Sequence, residues 1–135
     1  MNVVLDVKHL SSQFFMDEGI VRAVDDVSFY VRRGEAVGIV GESGSGKSVT
    51  AMSIVRLLEE PGRIVGGQVF FNGRDVLSMS SSRIRQLRGN GVAMIFQDPM
   101  TALNPVLTVG AQIAEVLRHH LAYDRPAARD RKSVV

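Results

Sequence analysis

EAVGIVGESGSGKSVTAMS, residues Glu35 to Ser53, is the stretch that decides the fold of this chain. It opens with an apolar run, Ala36–Val40, whose length and composition are typical of a strand buried on both faces of a sheet. A glycine-rich turn, Gly41–Gly46, follows, and a helical pattern begins after Lys47 and Ser48. The stretch therefore predicts a strand, a tight turn and a helix in direct succession.

The turn has the spacing G-x-x-x-x-G-K-[ST], in which each residue type has a physical role in holding a nucleotide triphosphate. Glycines let the backbone curl around phosphate oxygens, and amides at the start of the helix would bind them. Lys47 would place its charge on the β and γ phosphates, and the Ser48 hydroxyl would bind Mg²⁺. The predicted nucleotide-binding set is Gly41, Glu42, Ser43, Gly44, Ser45, Gly46, Lys47, Ser48 and Val49.

A glycine loop that joins a strand to a helix without any ligand is the alternative interpretation of this stretch. Chance seldom supplies a strand, this spacing and a helix together. Phosphate binding is therefore the interpretation on which the other inferences are built.

The composition limits the classes of protein to consider. With 135 residues, 45% of them hydrophobic, the chain is about the size of one domain and can bury a core. It has no cysteine, which excludes disulfides, thiolate metal sites and cysteine nucleophiles. A net charge of +2 gives no reason to expect a nucleic-acid partner. No apolar run is long enough to cross a bilayer, and the first residues do not form a signal peptide, so we expect a cytoplasmic protein.

The two segments before Glu35 have the sequence pattern of strands. Val3–Phe15 alternates in part between apolar and polar residues, and Ile20–Val31 resumes an apolar pattern. Asp17, Glu18 and Gly19 form a turn signal between them. Together they predict an antiparallel ribbon.

The segments after it alternate between helix and strand. Val49–Leu58 is apolar on most sides, which predicts a helix that packs on a sheet and ends before Gly62. Gly67–Asn72 predicts a short strand closed by an Asn-Gly turn. Ser80–Ser82 offer N-caps to a short helix, and Val92–Phe96 predicts a second buried strand.

A loop rich in turn-forming residues, Gln97–Pro105, follows the second core strand. Apolar residues then recur with helical spacing from Val109 to Leu121. Thr108 is the predicted N-cap of an amphipathic helix that begins at this point.

The order of these elements, with the wording GIVGESGSGKSVT and MIFQDPMTALNPVLTVGAQI, resembles the ATPase subunit of ATP-binding cassette (ABC) transporters. More narrowly, it is similar to the subunits of dipeptide, oligopeptide and nickel importers. The resemblance covers Val3 to about Leu121. It implies an α/β fold: a P-loop NTPase core, an N-terminal antiparallel β subdomain and the start of a helical subdomain. Residues 1–104 would form the N-terminal part of the ATPase domain, and residues 105–135 the start of the helical subdomain and a tail.

The resemblance also implies two further site residues. In this family the first ribbon presents an aromatic ring to adenine, and Phe14 matches that position, with Phe15 as the near alternative and plain strand packing as a third interpretation. Gln97 matches the glutamine of the Q-loop, whose amide oxygen would bind Mg²⁺ together with Ser48 and link phosphate occupancy to transporter conformation. A solvated loop glutamine is the alternative.

Three family motifs do not occur after Val109: the Leu-Ser-Gly-Gly-Gln signature, an apolar strand ending in Asp-Glu, and a switch histidine. The resemblance therefore implies no catalytic residue in this chain apart from the candidate Gln97, and nucleotide binding without turnover. The chain would be the N-terminal portion of a longer ATPase. Without neighbouring core strands, four side chains should lose part of their cover, namely Val37, Ile39, Met94 and Ile95.

The partners implied by the resemblance are ATP, Mg²⁺, a second ATPase subunit in a homo- or heterodimer, two transmembrane permease subunits and, indirectly, a solute-binding protein. The complete protein would be peripheral at the cytoplasmic face of the plasma membrane and would drive uptake of a peptide or related small solute. A non-catalytic regulatory module, or an inert fragment that pairs with a full-length subunit, is the alternative. A small kinase or GTPase is less consistent, because there is no Asn-Lys-x-Asp motif and the arginines at 83–88 precede the Q-loop strand.

Overall fold

A computed structural model of the chain describes residues 2–98, 102–122 and 126–127. They belong to two units that divide between Ile84 and Arg85. The elements, in chain order, are β1 Val3–Met16, β2 Gly19–Arg32, α1 Lys47–Ile54, β3 Gly62–Phe71, β4 Arg74–Asp75, α2 Ser81–Asn90 and α3 Val109–His120.

The first unit is organised around a four-stranded antiparallel sheet with the order β2-β1-β3-β4. The long β1–β2 pair confirms the predicted ribbon and its turn. Asn72 and Gly73 have φ angles of 47° and 77°, and they connect β3 to β4. Two successive left-handed residues are the geometry that tight hairpins require, so the predicted Asn-Gly turn is confirmed.

The core of this unit lies where α1 packs against β1 and β2. In β1 the buried residues are Val7, Leu10 and Ser12, so the period of two is interrupted where the register shifts between Val7 and Leu10. The buried apolar residues are Val7, Leu10, Val24, Val55, Val69, Val76 and Ile84. Three buried residues with hydroxyl groups, Ser12, Thr50 and Ser53, belong to the same unit.

Two predicted element boundaries are wrong. The helix α1 ends at Ile54 instead of Leu58, because Arg56 adopts a left-handed φ of 54° that a helix cannot continue. In that position the Arg56 Nη1 donates to the carbonyl oxygen of Met79 at 2.6 Å. The strand β3 begins at Gly62 instead of Gly67, because its first residues pair with β1.

The two predicted core strands are not formed. Neither Ala36–Val40 nor Val92–Phe96 is a strand in the structure, and Val40 and Ile95 are 92% and 98% exposed. A core strand needs neighbours that pair with its amides and cover its side chains. Among the described residues, the pairing of these segments amounts to one isolated bridge at Val92.

The expected loss of cover is confirmed for three of the four side chains. Val37 and Ile39 are 44% and 48% exposed, and Ile95 is almost fully exposed. Met94 is half-buried. Both segments have the apolar composition of core strands. They are not strands here, because the described strands do not pair with them.

The second unit contains the helix that was predicted from residue 109. The Thr108 Oγ1 accepts a hydrogen bond from the Ala111 amide at 3.2 Å, so the predicted N-cap is confirmed. The Gln112 side chain fixes the preceding loop, because it donates to the Asn104 carbonyl at 3.0 Å and accepts from the Asn104 amide at 3.0 Å. Within residues 2–98, 102–122 and 126–127, no helix has the length and apolar character needed to span a bilayer.

A glycine in β3 tests the close approach of β1 and β3. Gly67 has a φ of 98°, and a Cβ there would lie 2.5 Å from the His9 carbonyl oxygen. We expect Gly67→Ala to lower the free energy of unfolding by about 2–4 kcal/mol, through backbone strain and this overlap. Urea denaturation followed by circular dichroism would measure it.

Gly66→Ala is the matched control, because a Cβ at Gly66 meets no atom within 4 Å. Its effect should stay within about 0.5 kcal/mol. Equal destabilisation by the two substitutions would contradict the close approach.

Candidate phosphate-binding site

The loop between residues 41 and 46 curls through two left-handed glycines. Gly44 and Gly46 have φ angles of 81° and 90°, which residues with a side chain rarely adopt. The Ser45 amide donates to the Glu42 carbonyl at 3.2 Å and closes the turn inside the loop. The predicted glycine loop is thus present as a tight, concave backbone.

The ammonium group of Lys47 lies across this loop. Its Nζ donates to the carbonyl oxygens of Gly41 at 2.7 Å and Glu42 at 2.6 Å, and to the Ser45 Oγ at 3.2 Å. These bonds use its three hydrogens on uncharged acceptors. Phosphate oxygens are stronger acceptors for an ammonium than carbonyl oxygens are, so a bound phosphate could take over these bonds.

The glycine at the start of the motif leaves room inside the loop. A Cβ at Gly41 would lie 2.5 Å from the Ser45 Oγ and 3.8 Å from the Lys47 Nζ. It would overlap the Ser45 hydroxyl and come into ordinary contact with the ammonium group. The loop therefore fits a phosphate group in this respect, because its cradle is kept open by the absence of a side chain.

The glycine at the end of the motif has a different constraint. A Cβ at Gly46 would lie 2.2 Å from the carbonyl oxygen of Ala23 in β2. No side chain can fit between the loop and the ribbon at this point. The composition of the loop thus reflects both its curl and its contact with β2.

The helix α1 begins at Lys47 with its positive end towards the loop. Gly46 is the N-cap residue and supplies no capping side chain, and the first turn contains no acidic residue. Unpaired amides at a helix N-terminus attract anions. Ser48 is exposed, and its hydroxyl makes no hydrogen bond within the described residues, so it is available as a metal ligand.

Phe14 lies in β1, opposite Val21 of β2 and Gly62 of β3. Its ring is half-buried, and its Cε1 would be 3.0 Å from a Cβ placed at Gly62. Because successive strand residues point to opposite faces, Phe15 lies on the other face of the sheet. The guanidinium carbon of Arg63 is 5.3 Å from the centroid of the Phe15 ring. Contact of Phe14 with adenine stays a prediction.

Gln97 is exposed and lies in the second unit, whereas the loop and Phe14 lie in the first. The structure therefore places the loop residues and Phe14 in the same unit. A shared role of Ser48 and Gln97 at Mg²⁺ stays a prediction, as does the division of the chain at residue 104.

Three residues of the site region were not predicted from the sequence. The carbonyl of Ala23 faces Gly46, and the hydroxyls of Ser12 and Ser53 bond to each other under the loop helix. A backbone carbonyl leaves no pattern in the sequence. Ser53, three residues after Thr50, which is also buried, was the available signal.

A cleft of about 360 Å³ borders the loop in the first unit. It lies between β2 and the apolar segment that precedes the loop. Its lining residues are Val27, Ser28, Phe29, Val37, Gly38, Ile39, Val40, Ser45, Gly46, Lys47 and Thr50. The cleft gives the Lys47 side of the loop access to solvent.

Comparison with known proteins identifies close relatives. The chain is 50% identical to the probable peptide ABC transporter ATP-binding protein y4tR of Sinorhizobium fredii. The alignment of 131 residues covers 96% of this chain and 39% of that protein. It is 48% identical to the dipeptide transport ATP-binding protein DppD of Escherichia coli. The alignment of 128 residues covers 95% of this chain and 39% of that protein. The chain thus spans about 39% of the length of these curated relatives.

The fold of the chain also matches a solved structure of an ABC transporter cassette. The dimeric structure of MJ0796, a bacterial ABC transporter cassette, superposes with a TM-score of 0.81 and 24% sequence identity. The match covers 96% of this chain and 54% of the MJ0796 chain. The described residues therefore have the fold of the N-terminal part of an α/β ABC ATPase, as predicted. The family model for ABC transporters matches residues 24–134. This chain belongs to the ABC transporter family.

Proposed function

We propose that this chain binds ATP with Mg²⁺ through the loop of residues 41–48. The observation that carries the proposal is the ammonium of Lys47, held inside a concave glycine loop by uncharged acceptors at 2.6–3.2 Å. The open N-terminus of α1 adds a second anion-binding element directly beside it. A triphosphate is the ligand that would use both.

In the bound state, Lys47 would exchange its carbonyl acceptors for β and γ phosphate oxygens. The amides of Gly44–Ser48 would bind the same phosphates, since their loop is already curled. The Ser48 hydroxyl and the Gln97 amide oxygen would be ligands of the metal. Mg²⁺, when bound, neutralises part of the phosphate charge.

For the complete protein, we propose the activity that its relatives' names describe. The relatives include peptide, dipeptide and oligopeptide transport ATP-binding proteins. The complete protein would couple ATP binding and hydrolysis to uptake of a peptide or related small solute. Its partners would be a second ATPase subunit, two permease subunits and, indirectly, a solute-binding protein, at the cytoplasmic face of the membrane.

The residues that the family uses to polarise the attacking water do not occur in this sequence. We therefore propose that the chain on its own binds nucleotide without turning it over. A non-catalytic module that pairs with a full-length subunit is a second candidate, favoured by the exposed apolar side chains of Val40 and Ile95. Inhibition of transport when the chain is coexpressed with an intact transporter would distinguish that module from an inert fragment.

Lys47→Ala tests the phosphate site. Loss of a charge-assisted bond should weaken ATP binding by about 10- to 100-fold in isothermal titration calorimetry with Mg²⁺. Lys8→Ala is the control, because Lys8 is a 51% exposed lysine whose ion pair is with Asp6 in β1. Phosphate release by the unmodified chain that disappears in Lys47→Ala would contradict the absence of turnover.

Two glycine substitutions test whether the contact with β2 shapes the loop. Gly44 and Gly46 both have positive φ, but a Cβ at Gly44 meets no atom within 4 Å, whereas one at Gly46 overlaps Ala23. We expect Gly46→Ala to weaken ATP binding at least tenfold more than Gly44→Ala, which corresponds to about 1.4 kcal/mol. Calorimetric titration of the two folded variants would measure the difference, and equal losses would show that φ alone matters.

A further inference from the structure

A pair of buried hydroxyls joins the ribbon to the helix of the phosphate loop. Ser12 of β1 and Ser53 of α1 are both 0% exposed, and their Oγ atoms are 2.8 Å apart. The Ser53 Oγ also donates to the Val49 carbonyl at 2.7 Å. Because a hydrogen bond is directional and an apolar contact is not, this pair fixes where α1 lies along β1.

A bulge in β2 makes a second contact at the same level of the ribbon. Ser12 pairs with Val24 and Gln13 pairs with Arg22, so Ala23 is an extra residue without a partner in β1. Bulges redirect backbone groups out of the ladder. Here the Ala23 carbonyl faces Gly46, which has no room for a Cβ beside it.

The next pair along the ribbon is Phe14 with Val21. Directly opposite residues of antiparallel strands share a face of the sheet. Phe14 is half-buried and Val21 is 56% exposed, so part of this apolar pair is accessible. An accessible apolar surface therefore lies two residues along each strand from Ser12 and Ala23, where the ribbon contacts the loop and its helix.

We infer that Ser12 and Ser53 are positioning residues that set the distance between this apolar pair and the phosphate loop. The two surfaces belong to different elements, and only tertiary contacts fix their separation. The inference rests on the proposed function and on the predicted contact of Phe14 with adenine: the base would lie against Phe14 and Val21 while the phosphates occupy the loop. A ligand with phosphates alone uses only one end of this arrangement.

The test compares two ligands on the full chain, ATP and inorganic tripolyphosphate, each with Mg²⁺. In Ser12→Ala/Ser53→Ala both hydroxyls are removed, so no buried polar group is left unpaired. We expect the affinity for ATP to fall about fivefold, the size of one aromatic stacking contact, and that for tripolyphosphate to stay within about twofold. Equal changes for the two ligands, including no change, would overturn the inference, because a purely structural role affects both alike.

Ser11→Ala is the matched control. Ser11 is the neighbouring serine of β1, and its hydroxyl accepts from the Asp26 amide instead of contacting α1. The ratio of the two affinities should not change in this variant. A fall equal to that of the double variant would also overturn the inference.

A second variant decides the question if the alanine pair does not fold. The natural chain has no cysteine, so Ser12→Cys/Ser53→Cys contains only the introduced thiols. Oxidised glutathione should join the two thiols in a disulfide that keeps α1 on β1 and preserves the preference for ATP. Dithiothreitol should break this disulfide and thereby lower the preference for ATP. The same preference for ATP in the oxidised and reduced states would contradict the positioning role.

The outcomes also separate this inference from the proposed function. If the unmodified chain binds neither ATP nor tripolyphosphate, the proposed function itself fails. If it binds both with equal affinity, phosphate binding stands and the positioning role is overturned.

Discussion

The constraint on which the site depends is the position of one ammonium group. Lys47 places a positive charge inside a backbone curve and satisfies it with two carbonyls and a hydroxyl, none of which carries a formal charge. A carboxylate in their place would neutralise the charge and compete with phosphate. The curve itself requires the left-handed glycines at 44 and 46, so loop shape and ammonium position depend on each other.

The loop cannot hold this geometry by itself. The helix α1 has 8 residues, and an isolated helix shorter than about 12 residues is marginal in water. Its stability must therefore come from tertiary contacts, among them the bond between Ser12 and Ser53 and the approach of Ala23 to Gly46. The ribbon is thus a structural support of the phosphate loop as well as the carrier of Phe14.

The features that the sequence predicted correctly are those encoded locally. The start of α1, the Asn72 turn and the Thr108 cap each depend on neighbouring residues, and each is present. The end of α1 depends on carbonyls that Arg56 reaches 20 and 23 residues away, so helical periodicity could not show it. The bulge at Ala23 escaped prediction for the same reason, since a shift in register involves both strands and appears in neither alone.

The failure of Ala36–Val40 to form a strand shows how the site can exist without its expected sheet. A strand needs pairing partners, whereas the loop that follows needs only contacts that hold its curl. On the helix side the ribbon supplies such contacts through Ser53 and Gly46. On the strand side, the exposed segment provides no buried contact comparable to these. The geometry of the phosphate loop therefore depends more on its contacts with the antiparallel ribbon than on the exposed segment that precedes it in sequence.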